Sequence, residues 1–435
     1  MNPKSTSPKF DEIAAKVIRG QRDDSPDDIA LFPIHDFSAK LRQEDVLPRV
    51  KAYIDWQRGV RSGALDPKTS LPDFAPVSIN LDITTACNFA CDHCVDKDIL
   101  NTPDRYHQQS LLDSIEVMTE KGLKSVIVIG GGEPTLYRYF TETVEFMKSL
   151  GLQVAIVSNG TRNSKIEEIA PYLDPTDWVR LSLDSGSEEV FQAMHKPRKK
   201  ITLDEICEGI PKVKAVNPDF KIGFSFIITW RDAFINETNI VENLDEMVEA
   251  TKRAKEYGFD YIAFKPFLTR AEENNAEIVD LKQSERHFEG IKSKIAVLLE
   301  EARELEDDSF QVYATTNLKV LLKGVSERYM SQPHECHMQY FRQVLSPLGL
   351  YNCPVYRNQP HGRLGDLDAY GTKDDFGKTL ETTAAKIQSF DSTHQCREVT
   401  CLYHTVNWWI EDMIESPEKL KDLVPPVDFD PDYFL

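Results

Sequence analysis

At 435 residues, 41% of them hydrophobic and 28% charged, the chain has the make-up of an ordinary globular protein and the length for a large core in two or three parts. Acidic residues outnumber basic ones by 71 to 51, a formal charge of -20, which argues against a nucleic-acid partner because phosphate backbones are bound by basic surface. No apolar run approaches the roughly 20 residues that span a bilayer, and the opening MNPKSTSPKFDE lacks the apolar core of a secretion signal, so a cytoplasmic protein without a membrane partner is expected.

Residues 1–75 read as a helical extension: Phe10, Ile13, Ala14, Val17 and Ile18 form one apolar stripe, and Val50, Tyr53, Ile54 and Trp56 a second. From Val77 the pattern changes to strict alternation. Val77, Ile79, Leu81 and Ile83 are apolar and Ser78, Asn80, Asp82 and Thr84 polar, which predicts a strand with two unlike faces. Further strands are predicted at 125–129, 153–157, 179–183, 221–228 and 261–264, with helices around 107–120, 138–150, 164–173, 203–216 and 240–257 between them. Strands alternating with helices imply parallel βα units. Six of them, without a clear seventh and eighth, predict an α/β fold with a partial (βα)6 barrel over 76–309, its chemistry collected at the carboxyl ends of the strands. A long acidic helix is expected at 282–305, and residues 310–435 carry four cysteines, several aromatics and an acidic tail.

The eight cysteines are explained better by metal binding or catalysis than by disulfides in a chain read as cytosolic. Cys87, Cys91 and Cys94 lie in the loop that leaves the first strand. Three thiolates at CxxxCxxC spacing can hold one face of an iron–sulfur cube and leave its fourth iron open to an outside chelating ligand. A zinc knuckle and a redox pair are the alternatives, although structural zinc takes four protein ligands. The second strand ends in Gly130, Gly131, Gly132, Glu133, Pro134 and Thr135. Glycines there let backbone approach a ligand, and Glu133 offers negative charge to an ammonium.

Together these two motifs resemble the radical S-adenosylmethionine (SAM) superfamily, whose cysteine motif is CxxxCx(aromatic)C. His93 takes the ring position, near the adenine of SAM in the family, where Tyr or Phe is usual. Gly131, Gly132, Glu133 and Pro134 resemble the element that binds the amino group of SAM's methionine. The resemblance also implies contacts with SAM or substrate from Ser158 and Asn159 after the third strand, and from Ser182 and Asp184 after the fourth. It points Arg198 toward the SAM carboxylate, Ile227 and Ile228 toward adenine, and Lys265 toward the substrate. Turn formation, core packing or a surface role is the alternative at each of these positions.

Cys336, the hairpin from Leu345 to Cys353 turning at Gly349, and the late pair Cys396 and Cys401 resemble the SPASM/twitch extensions of the same superfamily. The resemblance implies that these four cysteines hold an auxiliary [4Fe-4S] cluster, the second of two. A full SPASM domain has more cysteines, so the shorter twitch version is the nearer likeness. Structural zinc on the same thiolates is the alternative. His334, His337, His361 and His404 stand near enough in sequence to substitute as ligands, and Cys207 reads as a core thiol.

By resemblance, then, the chain is an enzyme with a radical SAM barrel (76–309) between a helical extension (1–75) and an auxiliary-cluster domain with an acidic tail (310–435). A reductant such as flavodoxin or ferredoxin supplies an electron. SAM is cleaved to a 5′-deoxyadenosyl radical that takes hydrogen from the substrate, and the auxiliary cluster accepts an electron. A small-molecule substrate is favoured, because one auxiliary cluster leans toward the twitch-bearing dehydrogenases and the first 75 residues lack the strand pattern of a peptide-recognition domain. A maturase acting on a ribosomally made peptide or protein is the alternative, and a non-catalytic metal-binding protein the remaining one. No catalytic acid or base is identified.

Overall fold

The alternation that begins at Val77 becomes a strand, β1 (Ser78–Leu81), whose polar face is as buried as its apolar one. Ile79, Leu81 and Ile83 enter the main core, while Ser78, Asn80 and Asp82 turn to the inner side of the sheet. This is a computed structural model that describes residues 35–231, 234–235, 238–279, 288–426 and 430–435. The stripe from Phe10 to Ile18 and the start of the helix expected from 282 lie outside the described residues.

Beside β1 run β2 (Ser125–Val128), β3 (Gln153–Ser158), β4 (Trp178–Ser182), β5 (Lys221–Ile228) and β6 (Tyr261–Pro266), parallel and in chain order. These are the six expected strands. The sheet extends by one more parallel strand at each edge, β7 (Gln311–Ala314) beside β6 and β8 (Arg342–Ser346) beside β1. Beyond β8 it continues antiparallel through β9 (Gly349–Tyr351) and β10 (Arg363–Gly365). Both added parallel strands escape a periodicity reading for a physical reason. β8 is followed by a hairpin instead of a crossover helix and so lacks the βα signature, whereas β7, with the helix Thr316–Lys323 directly after it, offers only four residues in which alternation can show.

Helices α1 (Gln108–Glu120), α2 (Phe140–Ser149), α3 (Glu188–His195) and α4 (Met247–Glu256) cover the outer face. Leu111, Ile115, Met118, Val144, Met147 and Phe191 pack there on Val126, Val128, Val154 and Ile156. Fully buried side chains of this size contribute about 1.5–3 kcal/mol each. The start of α3 is set by Ser187, whose hydroxyl accepts the Val190 N–H.

The opposite, amino end of the sheet is closed by residues from both ends of the described chain. The stripe Val50, Tyr53, Ile54 and Trp56, on the helix Leu47–Arg61, packs against Val406, Ile410 and Met413 of the helix His404–Glu415. The tail then runs into the barrel floor. Phe434 sits among Ile127, Ala155 and Val157, with its ring 5.6 Å from that of Trp178. Ser125 Oγ donates to Tyr433 O at 2.7 Å, and Lys40 Nζ donates to Phe434 O at 2.6 Å and pairs with Asp432 at 3.0 Å. No helix among the described residues is long and apolar enough to cross a membrane.

Candidate functional site

At the carboxyl end of the strands, the loop that leaves β1 brings Cys87, Cys91 and Cys94 to one cleft, each half-buried. Backbone bonds clamp this loop to its neighbours: Ala90 N donates to His195 O, Arg198 N to Asn88 O, Gly132 N to Thr84 O and Glu133 N to Ala86 O. The glycine turn is required by that stitching. Gly131 has φ 77°, and a Cβ on Gly132 would stand 2.1 Å from Ala86 O. The turn therefore serves first to let β2 approach the cysteine loop.

Glu133 is buried and taken up by the protein itself. Its carboxylate accepts from Thr135 N (3.0 Å), Thr135 Oγ1 (2.6 Å), Ser158 Oγ (2.7 Å) and Asn159 N (2.6 Å). Burial raises its pKa, and the four donors only partly offset that. Asn159 Nδ2 in turn donates to Asn88 Oδ1 at 2.8 Å, tying the end of β3 to the cysteine loop.

Across the cleft stands a second polar group. Asp184, in the left-handed region at φ 51°, accepts the Ile227 N–H at 2.6 Å and faces His93 Nε2 at 3.3 Å and His195 Nε2 at 3.6 Å. Burial alone would raise Asp184, but its hydrogen bond with His93 holds it below its ordinary value. Burial drives the His195 pKa down to about 4, and its Nε2 meets Leu183 O at 2.9 Å while Nδ1 lies 3.2 Å from Cys91 Sγ. His93 Nδ1 is buried without a hydrogen-bond partner, a polar atom that a ligand in the cleft can satisfy.

Of the residues expected here, Cys87, Cys91, Cys94, His93, Gly131, Gly132, Glu133, Ser158, Asn159, Ser182, Asp184, Ile227 and Lys265 line the cleft. Three do not. Pro134 is buried at the start of a short 3-10 turn, and the Arg198 side chain is exposed. Ile228 is 0% exposed in the main core, because successive residues of β5 alternate faces and Ile227 takes the inner one.

Sequence reasoning missed Asp82, Asp96, Glu277 and Arg357. Arg357 reaches Asp82 at 3.3 Å, Asp96 at 2.7 Å and Glu277 at 3.8 Å, and Arg270 pairs with Glu277 at 3.5 Å. Burial raises Asp82 in spite of Arg357. Asp82 was visible only as the polar position of an alternating strand, and Arg357 carried no signal.

Cys336, Cys353, Cys396 and Cys401 line one separate cavity, together with Met338, Arg342, Tyr356 and Asn407. Burial raises all four thiols, Cys353 to about 12, and the charge of the others adds to it for Cys353, Cys396 and Cys401. The neighbouring histidines do not line this cavity. His337 is occupied by Tyr53 and Glu411, His404 stands beside Gln332, His361 packs on Tyr356, and His334 is exposed. Cys207 is 0% exposed in the main core.

Among the described residues, one trio of candidate ligand atoms lies within 4.8 Å of one another: those of Cys91, His93 and His195. No three sulfurs of either cysteine set come that close. A single tetrahedral zinc would hold neighbouring sulfurs about 3.8 Å apart. Three thiols on one loop suit one face of a four-iron cube, and four around one cavity can complete a cube's ligand set.

A family model described as the radical SAM superfamily matches residues 81–232. The mycofactocin maturase MftC of Mycolicibacterium smegmatis is 30% identical over 186 residues, 42% of this chain and 43% of that one. An S-adenosylmethionine-dependent nucleotide dehydratase of a Thermoplasmatales archaeon is 32% identical over 111 residues, 26% of this chain and 39% of the relative. The chain thus spans less than half the length of either. Among solved structures, native anSMEcpe with bound AdoMet and Kp18Cys peptide matches with a TM-score of 0.51 at 14% identity, covering 80% of this chain and 99% of that one. SuiB of Streptococcus suis bound to S-adenosylmethionine matches with a TM-score of 0.50 at 15% identity, covering 80% and 83%. At these identities the likeness is one of fold.

Proposed function

We propose that the chain is a radical SAM enzyme that oxidises a peptide or protein substrate, using SAM and two iron–sulfur clusters. The observation that carries this reading is the convergence of the three-cysteine loop, the glycine turn and the ends of β3, β4 and β6 on one cleft. When bound there, a [4Fe-4S] cluster and SAM supply the reductive cleavage that generates a 5′-deoxyadenosyl radical.

The protein's part is position and exclusion. Cys87, Cys91 and Cys94 would hold the first cluster, and Cys336, Cys353, Cys396 and Cys401 the second. Glu133 locks the ends of β2 and β3 against the cysteine loop through its four donors. Asp184 orients His93 on the cleft wall, leaving its Nδ1 for a ligand. Lys265 places an amine on the β6 side, where a substrate enters the same cleft. A flavodoxin or ferredoxin would deliver the electron, and the cytoplasm would keep the thiols reduced.

The sequence favoured a small-molecule substrate; the likeness to MftC, a maturase by name, supports the peptide alternative better. The nucleotide dehydratases keep a small-molecule substrate as the second reading.

The test is iron and sulfide content after anaerobic reconstitution, compared with a Cys87→Ala/Cys91→Ala/Cys94→Ala variant. About eight irons should fall to about four, with loss of SAM cleavage to 5′-deoxyadenosine, as four-iron cubes on two cysteine sets require. Loss of all iron in the variant, or zinc in the carboxyl-terminal site, would remove the second cluster and with it the oxidative outcome.

A further inference from the structure

Three guanidiniums near the two cysteine sets are paired with carboxylates. Arg357 has Asp82, Asp96 and Glu277; Arg270 has Glu277; Arg61, beside the Cys336 segment, has Glu335 and Glu411. Arg342, the first residue of β8, lines the cavity of the four carboxyl-terminal cysteines, and no carboxylate among the described residues pairs with it. Its Nη2 donates to the amide oxygen of Asn80 at 2.7 Å, its guanidinium lies over the Tyr403 ring at 5.4 Å, and its Nε is buried without a partner. The parallel register of β1 with β8, Ser78 opposite Arg342, sets Asn80 where it can hold the fork in place.

A cation taken from water without a counter-charge is strongly unfavourable. Burial accordingly draws Arg342 down to about 10, with Cys353, a wall residue of the same cavity, opposing the shift and the Arg357 charge adding to it. A four-iron cube on four thiolates is itself anionic and gains one negative charge with each electron it accepts. A fixed guanidinium beside it favours the more negative, reduced form, and the effect is large where dielectric screening is weak.

We propose that Arg342 is the counter-ion of the cluster held by Cys336, Cys353, Cys396 and Cys401, and that it raises that cluster's reduction potential so that the cluster accepts an electron more readily. This rests on the two-cluster reading above. Arg342 acts here as a positioning residue for charge: it lines the cavity of the four cysteines and not the cleft of the three-cysteine loop. Asn80 belongs to the same device, because it fixes the guanidinium through a neutral oxygen and leaves the positive charge uncompensated.

The experiment is a redox titration of the reconstituted full-length chain in the Cys87→Ala/Cys91→Ala/Cys94→Ala background, where the carboxyl-terminal cluster alone gives the reduced-state electron paramagnetic resonance signal. Dithionite supplies the electrons through mediators. Arg342→Gln should keep about four irons and show at least a ten-fold fall in its reduction equilibrium constant, about 59 mV for one electron. Arg342→Lys should stay nearer the parent. Asn80→Asp, which leaves the arginine but gives it a carboxylate, should shift the potential in the same direction as Arg342→Gln. Full iron content with an unmoved midpoint in Asn80→Asp and in Arg342→Gln overturns the role of Arg342. Zinc, or no metal, in the background protein with Arg342 intact overturns the two-cluster reading instead, and the proposal with it.

Discussion

Arg357 Nη2 lies 2.7 Å from Asp96 Oδ2, which joins the segment after Cys353 to the segment after Cys94. The two cysteine sets are thus braced against each other by a buried ion pair, with Asp82 and Glu277 completing the surround. Removing one partner of such a pair leaves the others' charges buried and uncompensated. Arg357→Gln should lower stability by about 3–5 kcal/mol, read as the shift in anaerobic denaturant unfolding of the iron-loaded protein. Arg58→Gln, whose pair with Asp55 is exposed and 3.8 Å long, should change it by less than about 0.5 kcal/mol. Equal effects would refute the brace.

Glu133 offers a second test, because its oxygens only accept. In Glu133→Gln the new NH2 group must face either the Asn159 N–H or the trio of donors on the other oxygen. The expected loss is about 1–3 kcal/mol, together with weaker SAM binding by titration calorimetry. Unchanged stability would mean that the carboxylate does not hold the strand ends.

Lys265 lines the cleft with no ion pair or hydrogen bond among the described residues. Burial and the nearby Arg180 charge lower its pKa from 10.5 to about 8, with Asp184 opposing the shift. Below that value it is an ammonium; above it, a free amine while exposed lysines are still charged. Acylation followed by peptide mass spectrometry should therefore show Lys265 reacting with a midpoint near the lowered value of about 8. Saturating SAM should slow the reaction. A midpoint at the ordinary lysine value of about 10.4 would contradict the assignment.

Phe434 fills the barrel floor among Ile127, Ala155 and Val157. Phe434→Ala should cost about 3–5 kcal/mol through lost burial and the cavity left behind. Val424→Ala, at a site 61% exposed, should stay within about 0.5 kcal/mol. Thermal unfolding of the two variants side by side distinguishes a packed floor from a loosely held tail.

The sequence by itself determined the parts that are local. Cys87, Cys91 and Cys94 share a cleft because one short loop carries them, and the glycine turn meets that loop because consecutive parallel strands end side by side. The six central strands were legible for the same reason: each follows its own helix, and periodicity records that local exchange of faces. Tertiary structure decided what depends on distant segments becoming neighbours. Whether Ile227 or Ile228 faces the cleft turns on the phase of β5 in the sheet. Asn80 and Asp82 are met on the inner side by Arg342 and Arg357 from distant segments, and the partners of Arg357 are drawn from positions 82, 96 and 277. The place of Arg342 beside four cysteines follows from β8 pairing with β1 across more than half the chain. Spacing and periodicity report neighbours within a turn or a strand, whereas a buried charge finds its partner only when the whole sheet has chosen its order.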